Sequence, residues 1–588
     1  MDSLNTANTI SRMVVDLLAK HGVKKIVLSP GSRNTPLIIA ANRSRDIECF
    51  SVVDERSAAF IALGLGSISC EPVALICTSG TAVLNYAPAV AEAYYRRVPL
   101  IVISADRPAE WIDQDDSQTL RQFEALSNFV KRSYNIPVGE NDTNLWYADR
   151  LLNDAMMEAT ELGNQAPVHI NVQLSEPLGT LAPVSSDNFR SVRVVNPRTD
   201  LTVQKARELG RIIASPTKVM IIAGFHKPDK RLNSALAKIS MLPNVVVLTE
   251  SIANLHGENF VQRIDTTLSE MTDEERQSMV PDCVITLGGA LVSRHIKQYL
   301  RSNKPTMHWH VAQTDVTVDC FQALTLRINM EAGIFFQQLA SALQPYTLQP
   351  YKGECDYAHK WQILKQRAMS THQAYLSHAP WSDLKAMEIV SQLTPRGWNV
   401  QYSNGTAIRY GQLFATGKQH RCDCNRGVSG IDGSTSTAIG ASLAYKTMPT
   451  LLITGDMSAQ YDVGALGCGI IPANFKIIVL NNGGGGIFRF INSTKNLDEL
   501  EERICMAQKK SPWEHLCHAY GLEYFHARNE SQLMDSFRHF ASDKSEQPCL
   551  LEIETPPQES AVILANYFKR KETFKNYRHD KLDSNQTV

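Results

Sequence analysis

Short apolar runs of strand length alternate with polar loops and with small-residue stretches at helical spacing along most of the chain. KKIVL leads into the loop SPGSRNTP. Helical spacing follows over residues 56–67, then the run VALICT, the loop SGTA, a helix over 83–95 and the run LIVISA. Such a series reads as βαβ units on a parallel sheet. PVHINVQL, at 167–174, is read as its last strand. The next stretch, LAPVSSDNFRSVRVVNPRTD, mixes Pro, Ser, Asn and charge without a period and is read as a linker. A second α/β block carries the runs KVMIIAG, NVVVL, CVITLG and TMHWHV. A second polar junction, LQPYTLQPYKGECDY, precedes a final third with NVQYS, TLLIT, FKIIVL and CLLEIE and a helix over 436–446. The pattern predicts three parallel-sheet α/β domains, at 1–182, 198–345 and 360–568. A charged tail without apolar period, residues 569–588, follows them.

Bulk properties narrow the class without choosing a function. A chain of 588 residues has room for about three or four domains with their own cores. The net charge of −1 gives no global field for nucleic acid or an acidic membrane, and the basic residues lack aromatic interleaving. Twelve cysteines are scattered, and Cys422 and Cys424 lack zinc-ligand spacing, so they read as reduced thiols of a cytoplasmic protein. Neither a signal peptide nor a membrane span is predicted. The acidic run DELEE (498–502) reads as a solvated helix face. His169 reads as a core histidine. His308 and His310 share one face of a strand with no third metal ligand in view.

The chemistry concentrates first in Gly455–Gly486. Asp456 follows the run TLLIT, and Asn482 with its glycines follows FKIIVL. Both therefore stand past the carboxyl end of a buried strand, where open parallel sheets bind ligands. A carboxylate, an amide oxygen and a glycine carbonyl form an oxygen-only set suited to Mg²⁺ holding a diphosphate. The bland alternative is a glycine turn with Asp456 capping a helix. The glycines lack the Lys-Ser/Thr of a nucleotide P-loop. Glu55 is a second candidate, placed where SVV meets a small-residue helix. Its alternative is an exposed first-turn carboxylate favoured by the helix dipole.

Gly-Asp-x followed by Asn about two dozen residues later resembles the thiamine-diphosphate fingerprint. SPGSRNTP, DERSAA, TSGTAVLNY, SADRPAE and NRGVSGIDGSTSTAIG together resemble the 2-succinyl-5-enolpyruvyl-6-hydroxy-3-cyclohexene-1-carboxylate synthases, the thiamine enzymes of menaquinone biosynthesis. That resemblance implies three thiamine-enzyme domains (pyrimidine-binding, central and diphosphate-binding). It also implies decarboxylation of 2-oxoglutarate and its addition to isochorismate. Mg²⁺ (or Mn²⁺) would be held by Asp456, Asn482 and the Gly484 carbonyl, and Glu55 would share a proton with the cofactor's aminopyrimidine. Gly80, Ile431, Ile487 and Phe488 would line the cofactor, Ile431 propping it in a bent form unless it is an ordinary core residue. Ser32, Arg33, Arg107, Arg294, Arg409 and Arg426 would bind substrate, and Gln118 would stand near the reacting centre. Arginine forks suit two dicarboxylates. Arg294, Ser117 and Gly405 depart from Lys, Asn and Ser in some family members, which affects substrate hydrogen bonding. Glu55 and the metal loop lie in different domains, so the resemblance implies a site completed across a homodimer, or a dimer of dimers. The central domain lacks a Gly-x-Gly-x-x-Gly loop, and no FAD is expected there. Another thiamine-dependent 2-oxo-acid decarboxylase or carboligase, or a non-catalytic protein of the same fold, remains an alternative.

Overall fold

The computed structural model describes residues 3–184, 188–197, 199–215, 217–347, 355–414, 421–446, 448–489, 511–542 and 546–569. DELEE and nearly all of the charged tail lie outside these. Three parallel sheets carry the fold. The first runs Glu48–Ser51, Lys25–Leu28, Val73–Cys77, Leu100–Asp106, Val168–Gln173, Ser133–Ile136. The central sheet runs Val245–Thr249, Val219–Ala223, Cys283–Leu287, Met307–Val311, Leu326–Ile328. The third runs Arg421–Cys424, Asn399–Tyr402, Thr450–Gly455, Phe475–Asn481, Cys549–Glu554, Glu523–Ala527.

The first and third sheets repeat one order: second strand, first, third, fourth, sixth, fifth. In both, the chain reverses its direction of winding between the first and third strands. The crevice at the carboxyl ends of those two strands is the natural ligand site. Central strands such as Val73–Cys77 and Phe475–Asn481 are buried throughout, as strands covered by helices on both faces must be.

The two repeated units pack directly on each other within one chain. Helix Glu55–Ser69 crosses helix Ser434–Ala444 at backbone contact. A Cβ on Gly64 would lie 2.0 Å from the Thr437 carbonyl oxygen, and one on Gly440 would lie 2.0 Å from that of Ile61. Only glycine allows this approach, and it joins both units into one apolar core with Phe60, Ala438 and Ile439.

Several details differ from the sequence pattern. The helix expected over 83–95 breaks at Tyr86 into Ala82–Asn85 and Ala87–Arg96, with a proline in the first turn of the second piece. The stretch read as a linker begins with strand Leu181–Val184, which pairs antiparallel with Ser3–Thr6. Helices Ala332–Thr347 and Tyr357–Leu376 enter the second junction from either side. No described helix is long and apolar enough to cross a membrane.

His169 is fully buried on the first sheet, and burial pushes its pKa down to about 4. Its Nε2 pairs with Ser104 Oγ at 2.7 Å, while Nδ1 has no partner. The unfolded chain takes up that proton near pH 6.5, whereas the folded chain resists until about 4. Stability from this group is therefore complete above pH 6.5 and is lost as pH falls toward 4, at about 1.4 kcal/mol per pH unit. His169→Gln is expected to flatten that acid limb in urea unfolding followed across pH. An unchanged slope would remove His169 as its source. His308 and His310 both turn to the Thr286 hydroxyl, at 3.0 and 2.9 Å, so their shared face serves a hydrogen-bonded core.

Candidate active site

The candidate residues lie on the segments that follow parallel strands, and all but Glu55 fall into three groups. The first follows strands Lys25–Leu28, Val73–Cys77 and Leu100–Asp106. Arg33 is buried and donates from Nη1 to the Leu174 carbonyl at 3.0 Å. Its pKa is lowered, first by burial and then by the neighbouring Arg107. Arg107 pairs with Asp116 at 3.0 Å, and its buried Nε has no hydrogen-bond partner. Ser32 is exposed on the same turn. Gly80 adopts φ +82° and donates its N–H to Gln122 Oε1 at 2.7 Å. Gln122, which the sequence did not single out, is buried and ties this turn to Ala105 O and Asn171 Oδ1, both at 3.1 Å. Gln118 is exposed with φ +58° and reaches the Ser79 carbonyl at 3.3 Å. Arg33, Arg107, Gly80 and Gln118 thus share one sheet edge.

The second group spans the central and third sheets. Arg294 is exposed at the first turn of helix Arg294–Ser302, and Arg409 lies in helix Thr406–Leu413. Arg426 follows strand Arg421–Cys424. Arg409 is pushed down to about 10, by burial first and then by the charges of Arg294 and Arg426. Arg426 donates to Asn404 Oδ1 at 3.0 Å and to the Leu291 carbonyl at 3.3 Å. The Nε atoms of Arg409 and Arg426 are both buried without a hydrogen-bond partner. Gathering three guanidinium groups this closely costs free energy unless an anion joins them.

Two buried carboxylates missed from the sequence hold the loops around Arg426. Glu92 accepts from Gly427 N at 2.7 Å and Val428 N at 2.6 Å. Glu250, pushed up to about 7 by burial, accepts from Val292 N and Ser293 N, the turn leading into Arg294. The signal available was a lone acid inside or just after an apolar run, which marks a buried charge needing donors.

The third group follows Thr450–Gly455 and Phe475–Asn481. Asp456 opens helix Asp456–Tyr461, accepting from Met457 N at 2.8 Å and from Gly484 N at 2.7 Å. Burial lifts its pKa to about 6. Gly483, Gly484 and Gly485 have φ of +76°, +104° and +44°, a run of left-handed geometry that side chains resist. Asn482 is buried. Its Nδ2 donates to Asp383 Oδ2 at 2.8 Å, and its Oδ1 has no partner. An orphaned amide oxygen beside a buried carboxylate, with a glycine backbone beside both, fits a hard divalent cation. Ile431 is half-buried on the loop before helix Ser434–Ala444, where its carbonyl accepts from Ser458 Oγ at 2.6 Å. Ile487 and Phe488 are half-buried in the short turn Gly486–Arg489.

Glu55 stands apart from all three groups. It is half-buried at the first turn of Glu55–Ser69, with Asp54 capping the helix. Its charge reaches Cys77 and Tyr86. Among the described residues, no hydrogen bond or ion pair links Glu55, Arg33, Arg107 or Gln118 to Asp456 or Asn482.

Residues 8–125 match the model of the N-terminal TPP binding domain of thiamine pyrophosphate enzymes, and residues 405–553 match that of the C-terminal one. A curated protein of Porphyromonas gingivalis is 40% identical over 95% of this chain and 96% of its own length. Proteins of Christiangramia forsetii and Flavobacterium johnsoniae are 38% and 36% identical, each over 95% of this chain and 98% of their own. All three carry the name 2-succinyl-5-enolpyruvyl-6-hydroxy-3-cyclohexene-1-carboxylate synthase.

Proposed function

The chain belongs to the 2-succinyl-5-enolpyruvyl-6-hydroxy-3-cyclohexene-1-carboxylate synthase family, and on that premise we propose how its residues make the product. It is a thiamine-diphosphate-dependent enzyme. In the proposed reaction 2-oxoglutarate loses CO₂ and its remaining four-carbon unit adds to isochorismate. Thiamine diphosphate, when bound, supplies the carbon nucleophile and accepts the electron pair released with CO₂.

Asp456, Asn482 and the Gly484 carbonyl would hold Mg²⁺ or Mn²⁺ against the diphosphate. Glu55 holds and returns a proton at its carboxylate. Arg294, Arg409 and Arg426 bind one set of substrate carboxylates, and Arg33 and Arg107 bind another. Ser32 and Gln118 orient the ring substrate, while Ile431, Ile487 and Phe488 exclude water beside the cofactor. Glu55 acts on the metal group of a second copy, so the unit of activity is a homodimer.

The observation that carries the dicarboxylate reading is the Arg294, Arg409 and Arg426 cluster with two buried, unbonded Nε atoms. A simple decarboxylase has less use for three converging cations. The test is incubation with thiamine diphosphate, Mg²⁺, 2-oxoglutarate and isochorismate, followed by mass analysis of the product. The adduct is expected. Its absence, with turnover of pyruvate instead, would reject the assignment.

Arg409→Ala is expected to lower kcat/KM by about 10–100-fold, the range for losing a hydrogen bond to a charged group. The change should fall on KM for one substrate and leave cofactor affinity alone. An unchanged KM for both substrates would remove Arg409 from the site.

A further inference from the structure

We propose that Asp383 is the positioning residue that turns the Asn482 amide so that its oxygen, and not its nitrogen, meets the metal. The inference rests on the reading of Asn482 as a metal ligand and deepens it.

Asn482 offers two atoms of similar shape and opposite chemistry. A cation accepts only the oxygen. Asp383 decides which atom faces the site, because its Oδ2 accepts from Nδ2 at 2.8 Å and so takes the nitrogen side of the amide. Oδ1 is then left buried and unbonded on the opposite side of the amide.

Asp383 is itself held rigidly. It opens helix Asp383–Leu393, and its backbone N–H donates to Ser560 Oγ at 3.1 Å. Its other oxygen, Oδ1, accepts from the Thr555 hydroxyl, just past the end of the strand Cys549–Glu554. Thr555 N in turn donates to the Asn481 carbonyl at 3.1 Å, next to Asn482 in sequence. The carboxylate is thus clamped between two strand ends and a helix start, and both of its oxygens are used. It is fully buried, and no ion pair to it is present among the described residues. A divalent cation on the far side of the amide would supply the missing positive charge. Partners of this kind, which orient metal ligands without touching the metal, typically govern metal affinity by 10–100-fold.

The experiment titrates Mn²⁺ into the full-length apoprotein at saturating thiamine diphosphate and reads bound metal by electron paramagnetic resonance. Asp383→Ala is expected to weaken Mn²⁺ by about 10–100-fold. Asp383→Asn, whose amide can offer its oxygen to Asn482 and its nitrogen to Thr555, is expected to recover most of that loss. It also serves if the alanine variant folds poorly. Asn482→Ala and the double variant Asp383→Ala/Asn482→Ala complete a cycle. If Asp383 acts through Asn482, the double variant binds Mn²⁺ no more weakly than Asn482→Ala alone. A further loss of affinity in the double variant, or a lower Tm with Mn²⁺ affinity unchanged, would mark a merely structural role. Full Mn²⁺ affinity in both Asp383 variants, beside a weakened Asn482→Ala, would overturn the proposal. Full affinity in Asn482→Ala would instead overturn the ligand reading beneath it.

Discussion

Glu55→Gln is expected to lower turnover by about 10²–10⁴-fold while Tm and cofactor affinity stay nearly unchanged. The separation follows from what Glu55 does and does not touch. Its helix is capped by Asp54, which accepts from Arg56 N at 2.9 Å and Ser57 N at 3.4 Å, so the helix start does not depend on Glu55. Its own side chain makes no hydrogen bond or ion pair among the described residues. The only local benefit of its charge is the helix dipole, at most about 2 kcal/mol at a half-buried first turn. Glutamine preserves the shape and removes the ability to hold and return a proton. Steady-state rates, calorimetric cofactor binding and thermal melting together check this. Turnover within a few-fold of the unaltered chain would take the proton-transfer role from Glu55. A large fall in Tm would instead make it structural.

The parts of this molecule that were legible in the sequence share one physical property, continuous burial. VALIC, LIVIS, VMIIA and FKIIVL are covered on both faces, so their apolar runs are unbroken and point directly to parallel strands. Within the three parallel sheets, the strands that escaped notice are Glu48–Ser51, Ser133–Ile136, Leu326–Ile328, Arg421–Cys424 and Glu523–Ala527, and each lies at a sheet edge. An edge strand has a neighbour on one side only and carries polar residues such as Asn135, Arg327 and Asp423, so its pattern merges with the loops. The candidate site was legible only where a strand end or a motif pointed to it. Asp456, Asn482, Arg33, Arg107 and Arg426 were visible because each follows a strand or sits in a motif. Asp383, Gln122, Glu92 and Glu250 act through neighbours far away in the chain, and one buried polar residue in a helix or loop carries no local sign of its partner.

Asp456→Asn, the second large effect, is expected to abolish both turnover and the thermal stabilisation that thiamine diphosphate with Mg²⁺ gives the unaltered chain. At one hundred times the dissociation constant that stabilisation is about 2.7 kcal/mol. The apoprotein should be little affected. Asparagine keeps an acceptor for Met457 N or Gly484 N and relieves a half-buried carboxylate that Asp383 opposes. Pairing this variant with Glu55→Gln then tests how the site is assembled. If Glu55 serves the metal group of a second copy, a dimer of one chain of each type holds one site with both defects and one with neither. Random mixing makes about half of the dimers hybrid, so equal amounts of two inactive proteins should recover about a quarter of full activity. If Glu55 and Asp456 serve one site within a single chain, every site keeps a defect and mixing restores nothing. Unfolding and refolding the two variants together before assay decides between these outcomes. The absence of recovered activity, with one variant isotope-labelled so that hybrid dimers are demonstrated by mass, would place the whole site in one chain.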